Sequence, residues 1–311
     1  MEDRQLSTQC RSDPPVKIFR PFLMVLLVAL LGTAGSLLYW VNSGATLLSI
    51  AKTSAAGHDW TPDKPLFVLL VGDDLRPDAG CGCADAVHVV GIPAGGGQAT
   101  MVDIPRDTRV MIPGYHPGRI NEAWARGGNA LSAKVVGDLV GVHISYVVHV
   151  NYVQFPKIVD ELGGVDVDVP FAMNDTFSGA NFKKGRRHMN GKEALAFSRN
   201  RHIPAGDFTR SEDQGRFILA TLATLQTRGN SPGDTLKYLA TLMRHTDTTN
   251  VGTAELYRLS RLAITMDPAK VRNVVMPGIT QTIGGASYVI TSKDAPAFFK
   301  DFADDAILQN H

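Results

Sequence analysis

Residues 66–71 read LFVLLV, six apolar side chains in a row between Pro65 and Gly72. A run this short, bounded by turn formers, suits a strand better than a helix. With no polar residue to turn toward water, both of its faces need cover. The chain must therefore build layers on each side of a sheet. The run also delivers Asp73 and Asp74 to its C-terminal end, where open α/β sheets place their ligands.

The remainder alternates strands and helices. Asp85 opens a second strand, DAVHVVGI, and residues 99–104 form a third that runs into Pro105-Arg106-Asp107-Thr108. Residues 111–128 are turn-rich and carry Arg119 and Asn121. A helix is predicted over 129–140, ended by Gly141. A strand follows at 146–150, and a helix opened by Pro156 ends before Gly163-Gly164. Residues 165–169, VDVDV, alternate as a strand with one polar face. Residues 171–187 read as a long polar loop, a lid or substrate rim. A short helix over 191–195 leads to FSRNRHIPAGDFTRSEDQ at 197–214. Beyond lie helices over about 209–229, 231–244 and 253–266, strands at 273–276 and 287–290 paired around a Gly-Gly turn, and a final helix capped by Asp294. Gly95-Gly96-Gly97 has no following Lys-Ser/Thr and reads as a loop between strands. The pattern is that of an α/β fold whose sheet is covered on both faces.

Residues 22–41, FLMVLLVALLGTAGSLLYWV, are uncharged and roughly long enough to cross a bilayer as a helix. Arg11, Lys17 and Arg20 precede them, and no basic residue follows until Lys52, so the N-terminus is expected in the cytoplasm and the rest outside. Tyr39 and Trp40 fall at the outer interface. A cleaved signal peptide is the rival, set against the length of the run and its extended basic region. The expected organisation is a cytoplasmic segment 1–21, a membrane helix 22–41, a spacer 42–65, a catalytic core 66–227, and an extension 228–311 packing on that core. With a formal net charge of +1, composition does not suggest nucleic acid, and no nucleic-acid partner is expected. With three cysteines and neither HExxH nor paired CxxC, a zinc site is not expected.

The chemistry concentrates in 197–214. Arg199 and Arg201, two apart, leave an extended segment on one face. Thr209-Arg210-Ser211-Glu212 is a capping-box pattern, and Arg210 and Gln214, four apart, share a helix face. Three guanidiniums and a carboxamide at a helix start suit a polyanion, because arginine forks match phosphate oxygens in pairs. The competing reading is a solvated basic surface paired with Asp207 and Glu212. Asp74 and Asp85 are hard oxygen donors, able to share Mg²⁺ with phosphate oxygens; solvation or capping is the alternative.

Taken together, Val71-Gly72-Asp73-Asp74-Leu75-Arg76, Asp85, Ile104-Pro105-Arg106-Asp107-Thr108, Arg119-Ile120-Asn121-Glu122-Ala123-Trp124, Gly127-Gly128, Val159-Asp160-Glu161-Leu162-Gly163-Gly164-Val165, Gly191, Ala194-Leu195, Arg199, Arg201, Asp207, Arg210 and Gln214 resemble, in order, the LytR-CpsA-Psr family of bacterial cell-envelope proteins. The resemblance covers roughly 66–225, plus one N-terminal membrane helix. It implies an αβα sandwich with a central mixed sheet and an apolar channel for a polyprenyl tail. It implies transfer of a glycopolymer from a polyprenyl-pyrophosphate carrier to a peptidoglycan hydroxyl at the outer face of a bacterial cell membrane. Asp74 and Asp85 resemble ligands of Mg²⁺, with Mn²⁺ as the alternative ion. Arg106, Arg119, Arg199, Arg201, Arg210 and Gln214 resemble the residues around the pyrophosphate. Arg106 would stabilise developing charge, and Asp107 is the candidate base; an ion pair with Arg106 is its other reading. Two departures stand out. Asp103 replaces a common Ser, and Cys83 stands where many relatives carry an Arg. Cys81 and Cys83 read either as a small disulfide or as two thiols. A non-catalytic lipid-binding module and a polyprenyl-pyrophosphate hydrolase are the competing functions.

Overall fold

The computed structural model describes residues 48–53, 61–74, 82–201, 203–228 and 246–309. The expected membrane helix 22–41, the helix 231–244, Leu75, Arg76 and Cys81 lie outside them. Among the described residues no helix is long and apolar enough to cross a membrane.

In chain order the elements are β1 (Leu48–Lys52), β2 (Leu66–Asp73), β3 (Ala84–Ile92), β4 (Ala99–Asp103), β5 (Arg109–Met111), β6 (Pro117–Arg119), α1 (Glu122–Val140), β7 (Tyr146–Asn151), α2 (Phe155–Glu161), β8 (Val165–Val169), β9 (Met173–Asp175), β10 (Ala180–Phe182), β11 (Gly185–Met189), α3 (Gly191–Arg199), α4 (Asp207–Arg228), β12 (Thr246–Thr249), α5 (Thr253–Thr265), β13 (Val271–Val275), β14 (Gly278–Ile283), β15 (Ala286–Thr291) and α6 (Ala295–Asp305). Seven strands form one sheet in the order β12-β1-β7-β2-β3-β4-β13. It is mixed. β2 runs parallel to β7 and antiparallel to β3, and β4 runs antiparallel to β3 and parallel to β13.

The apolar run of β2 is covered on both faces, as its composition demands. Phe67, Leu69 and Val71 pack with Val135, Val136 and Val140 of α1 and with Phe298, Phe299 and Phe302 of α6. Leu66 and Val68 face the other way, toward Leu222 of α4 and Leu259 and Leu262 of α5. Alternation along one strand thus feeds two apolar layers. Phe302 lies directly on the sheet, because a Cβ on Gly91 would stand 2.6 Å from its ring. A third cluster joins β8, β10 and α2 to Phe197 of α3 and Phe217 of α4.

The structure corrects several expectations. Residues 42–65 are not a spacer throughout, since β1 enters the central sheet between β12 and β7. Its Ser, Ala and Lys mask a strand that neighbours, not propensity, hold in place. The region 228–311 does more than pack on the core. It supplies both outermost strands, β12 and β13. Residues 273–276 pair with β4 rather than with 287–290, whose partner across Gly284-Gly285 is β14. The helix over 129–140 begins earlier, at Glu122, with a kink where Gly128 takes φ 54°, and it ends at the left-handed Gly141 as expected. The polar loop 171–187 is largely built into β9, β10 and the start of β11.

Candidate functional site

Four strand ends meet at one edge of the sheet. β2, β4 and β7 finish there and the antiparallel β3 begins there, with Asp73 opposite Ala84 and Asn151. Asp74, Asp85, Arg106-Asp107 and Tyr152 are therefore delivered to one place by topology. α3 ends and α4 begins over the same edge, bringing Arg199, Arg201 and Arg210. The result is a cavity of about 570 Å³ lined by Asp74, Cys83, Asp85, Arg106, Asp107, Arg119, Asn121, Tyr152, Asp175, Phe177, Ser178, Arg199, Arg201 and Arg210.

Alternation separates the two adjacent aspartates. Asp73 turns inward and is fully buried, accepting a 2.8 Å hydrogen bond from Trp124 Nε1, with His149 Nε2 3.1 Å away. Asp74 reaches the cavity. Asp85 is the hub opposite it. Arg106 Nη1 donates to its Oδ1, Arg201 Nη2 lies 3.9 Å away, and the Tyr152 hydroxyl hydrogen-bonds it. Burial, with the Asp85 charge adding, pushes the Tyr152 phenol well above its ordinary range, so it keeps its proton for that bond. Arg199 stands 5.6 Å over the Tyr152 ring.

Burial opposes the charge on Arg106, but Asp85, Asp107 and Asp207 outweigh it and raise its pKa above the usual arginine value. Arg201 is the converse. Burial and then the guanidiniums of Arg210 and Arg106 lower its pKa, with Asp85 and Asp207 only partly compensating. The cavity lining carries five arginines against four carboxylates. Arginines thus outnumber carboxylates along the lining, which suits an anionic guest.

The arginine-rich stretch differs locally from its sequence reading. Arg199 closes a helix instead of sharing an extended segment with Arg201, yet both line the cavity. α4 starts at Asp207, two residues before the predicted cap, and Thr209 donates its hydroxyl to Pro204 O. The helix start expected to face the anion holds its own carboxylate, Asp207, which pairs with Arg210 and lies 4.0 Å from Arg106 Nε. Arg210 is only 1% exposed, so the surface-pair reading does not hold for it. Glu212 pairs instead with Arg216. Gln214 does not line the cavity. Its Nε2 donates to Ser198 O at 3.0 Å and Asp85 O at 3.4 Å, tying the end of α3 to the start of β3. Asp107 Oδ1 lies 3.4 Å from Arg119 Nε and 3.8 Å from Arg106 Nε, in keeping with the ion-pair reading. Arg119 also donates to Ser287 O. Cys83 is disulfide-bonded and its partner lies outside the described residues.

The sequence reading overlooked Tyr152, while the stretch it read as a lid or substrate rim, 171–187, does bring Asp175, Phe177 and Ser178 to the cavity. Tyr152 could have been found by the rule that served for Asp74, since it directly follows a strand. Asp175 accepts from the N–H groups of Phe177 and Ser178, which sets the turn between β9 and β10 at the cavity mouth. For a divalent ion, no group of three or more His, Cys, Asp or Glu able to hold a metal occurs among the described residues. The donors present are the carboxylates of Asp74 and Asp85 and the Oδ1 of Asn121, which is buried without a hydrogen-bond partner. Three hard oxygens of this kind fit Mg²⁺ chemistry when a ligand's own oxygens complete the shell.

A family model described as the LytR_cpsA_psr family matches residues 39–301. The polyisoprenyl-teichoic acid–peptidoglycan teichoic acid transferase TagU of Bacillus subtilis (strain 168) is 35% identical over 205 residues, which are 63% of this chain and 66% of TagU. The transferase of the same description named TagV, from the same organism, is 33% identical over 177 residues, 54% of this chain and 45% of TagV. The chain thus spans from under half to about two thirds of the length of these curated relatives. Among solved structures, the crystal structure of B. subtilis TagV matches with a TM-score of 0.66 at 26% identity, covering 78% of this chain and 96% of that one. The protein YwtF (TagT), solved with bound octaprenyl pyrophosphate lipid, matches in fold with a TM-score of 0.62 at 21% identity, covering 82% and 97%.

Proposed function

The chain belongs to the LytR-CpsA-Psr family, and from that premise we propose that it transfers a glycopolymer from a polyprenyl-pyrophosphate carrier to a peptidoglycan hydroxyl, forming a phosphodiester. The observation that carries this reading is the cavity at the strand ends, where five arginines and the carboxylates of Asp74 and Asp85 converge and arginines outnumber carboxylates along the lining. The names of TagU and TagV, as teichoic acid transferases acting between a polyisoprenyl carrier and peptidoglycan, support it.

Phosphoryl transfer asks a protein chiefly for positioning and charge neutralisation. Arg199, Arg201 and Arg210 would hold the pyrophosphate. Arg106, bracketed by three carboxylates, would stabilise charge developing on the transferred phosphoryl group. Tyr152 and Gln214 would orient Asp85 and the strand that carries it. Asp74, Asp85 and Asn121 would hold Mg²⁺, whose chemistry there would be to neutralise phosphate oxygens. Asp107 would take the proton of the acceptor hydroxyl. Residues 22–41 would hold the chain in the cell membrane with this domain on the outer face.

The test is a transfer assay with a lipid-linked glycan donor and soluble peptidoglycan fragments, with and without Mg²⁺. Asp74→Ala or Asp85→Ala should abolish metal-dependent transfer with the fold intact. Full activity in both variants would defeat the ligand assignment. Release of glycan phosphate without attachment to peptidoglycan would make the chain a hydrolase.

A further inference from the structure

We propose that a second cavity beside the first receives the acceptor sugar. It has a volume of about 430 Å³ and is lined by Asp107, Arg201, Ala205, Gly206, Asp207, Thr280, Ser287 and Val289. The assignment rests on the transferase reading above and adds the place from which the hydroxyl arrives.

Asp107 and Arg201 line both cavities and form the wall they share. The chemistry changes across that wall. The first cavity has an excess of arginine. The second has one arginine against the carboxylates of Asp107 and Asp207, with the hydroxyl residues Thr280 and Ser287 alongside. A phosphate there would face like charges. A neutral polyol would find acceptors in the carboxylates and both donors and acceptors in the hydroxyls. The volume suits a small sugar unit.

Two further observations support a ligand. Asp207 lines the cavity and keeps its Oδ2 without a hydrogen-bond partner. Ala205 is held at φ 58°, a left-handed conformation unusual for a residue with a Cβ, and such strain concentrates at ligand sites. The cavity is also firmly built onto the first. Val289 N donates to Asp107 O at 2.9 Å, fastening the β14–β15 hairpin to the strand end that carries the base.

Phosphoryl transfer places the entering and leaving oxygens on opposite sides of phosphorus. A hydroxyl entering from the second cavity reaches the first on its Asp107 side. The acceptor oxygen bonds to the phosphorus that bears the glycan, and its proton passes to the Asp107 carboxylate. The anhydride P–O bond breaks, and polyprenyl phosphate leaves with the electron pair.

Thr280 is exposed on β14, so replacing it leaves the core alone. Thr280→Trp should fill the cavity, and Thr280→Ser should keep its hydroxyl. The full chain is assayed with a short-chain polyprenyl-pyrophosphoryl glycan as donor and a soluble peptidoglycan disaccharide as acceptor, and donor affinity is measured separately without acceptor. Thr280→Trp should raise the acceptor KM roughly tenfold or more while kcat at saturating acceptor and donor affinity hold within about threefold. Thr280→Ser should track the unaltered chain. An unchanged acceptor KM in Thr280→Trp would overturn this assignment alone. So would a loss of donor affinity that grows with glycan length, which would give the cavity to the donor's polymer. Absence of donor binding in the unaltered chain would overturn the transferase reading and this one with it.

Discussion

The arginines of the site are not equivalent, and burial separates them. Arg210 is fully enclosed and paired with Asp207, whereas the Arg201 side chain is 47% exposed and lies 3.9 Å from its nearest carboxylate. Removing one partner of a buried pair strands the other charge and costs about 3–5 kcal/mol. Removing a half-exposed arginine with only a distant partner costs about 1 kcal/mol at most. Arg210→Ala should therefore weaken pyrophosphate binding and destabilise the fold together, while Arg201→Ala should weaken binding with its unfolding midpoint nearly unchanged. Denaturant unfolding beside a polyprenyl-pyrophosphate titration separates the two, and equal loss of stability in both would refute the distinction. Lysine at 210 should rescue only in part, having charge without the fork. At this scale the sequence was legible wherever side chains gather at strand ends, as for Asp74, Asp85 and Arg106. It was opaque where orientation decides. Nothing in the string Asp73-Asp74 says which carboxylate turns inward to Trp124. Nothing in a spacing of four says that Gln214 props the cavity from behind.

Among the elements, α4 links the site to the interior and carries a liability. Asp213 sits in it almost fully buried, with Arg216 Nε 3.6 Å from its Oδ1. Burial, with Glu212 adding and Arg216 opposing, pushes its pKa up from 3.8 to about 7. The folded chain therefore keeps a proton that the unfolded chain gives up between about pH 4 and 7. The stability associated with that proton is complete below the unfolded value and is lost as pH rises through the folded one. Asp213→Asn should flatten this slope, gaining on the parent by a few kcal/mol at pH 8 and by little at pH 4, since each tenfold change in proton affinity is worth about 1.4 kcal/mol. Denaturant midpoints across that range measure it, and parallel curves would refute it. The elements also show where reading by pattern succeeds. β2, β8 and the end of α1 followed from an apolar run, a strict alternation and a glycine stop. β1 did not, because LSIAK has no clear period and becomes a strand only through β12 and β7. The hairpin β14–β15 was half seen, since its turn was legible and its first strand was not.

At the scale of the whole molecule, the order of charges around residues 22–41 bears on which side of a membrane the domain works. Basic residues before that run and none close behind it predict that a reporter fused after His311 is exposed outside the cell, with residues 1–41 retained in the mature chain. Protease accessibility on intact cells and N-terminal sequencing check both. A soluble secreted form beginning near Gly44 would mark the run as a cleaved leader. The central sheet has a consequence of another kind. Its outermost strands, β12 and β13, are the last two of its seven in the chain, while its middle comes from the earlier part. A ribosome releases the middle first, so for most of synthesis β1 and β4 stand as the rims of the growing sheet, their outward peptide groups unpaired. Their pairing waits for the final quarter of the chain, when β12 and β13 join β1 and β4 and become the rims themselves, and drawing such distant segments together is the kind of step that slows folding. A chain of this topology depends on its tail to complete its sheet, and a nonsense mutation late in its gene would leave β1 and β4 without their outer partners.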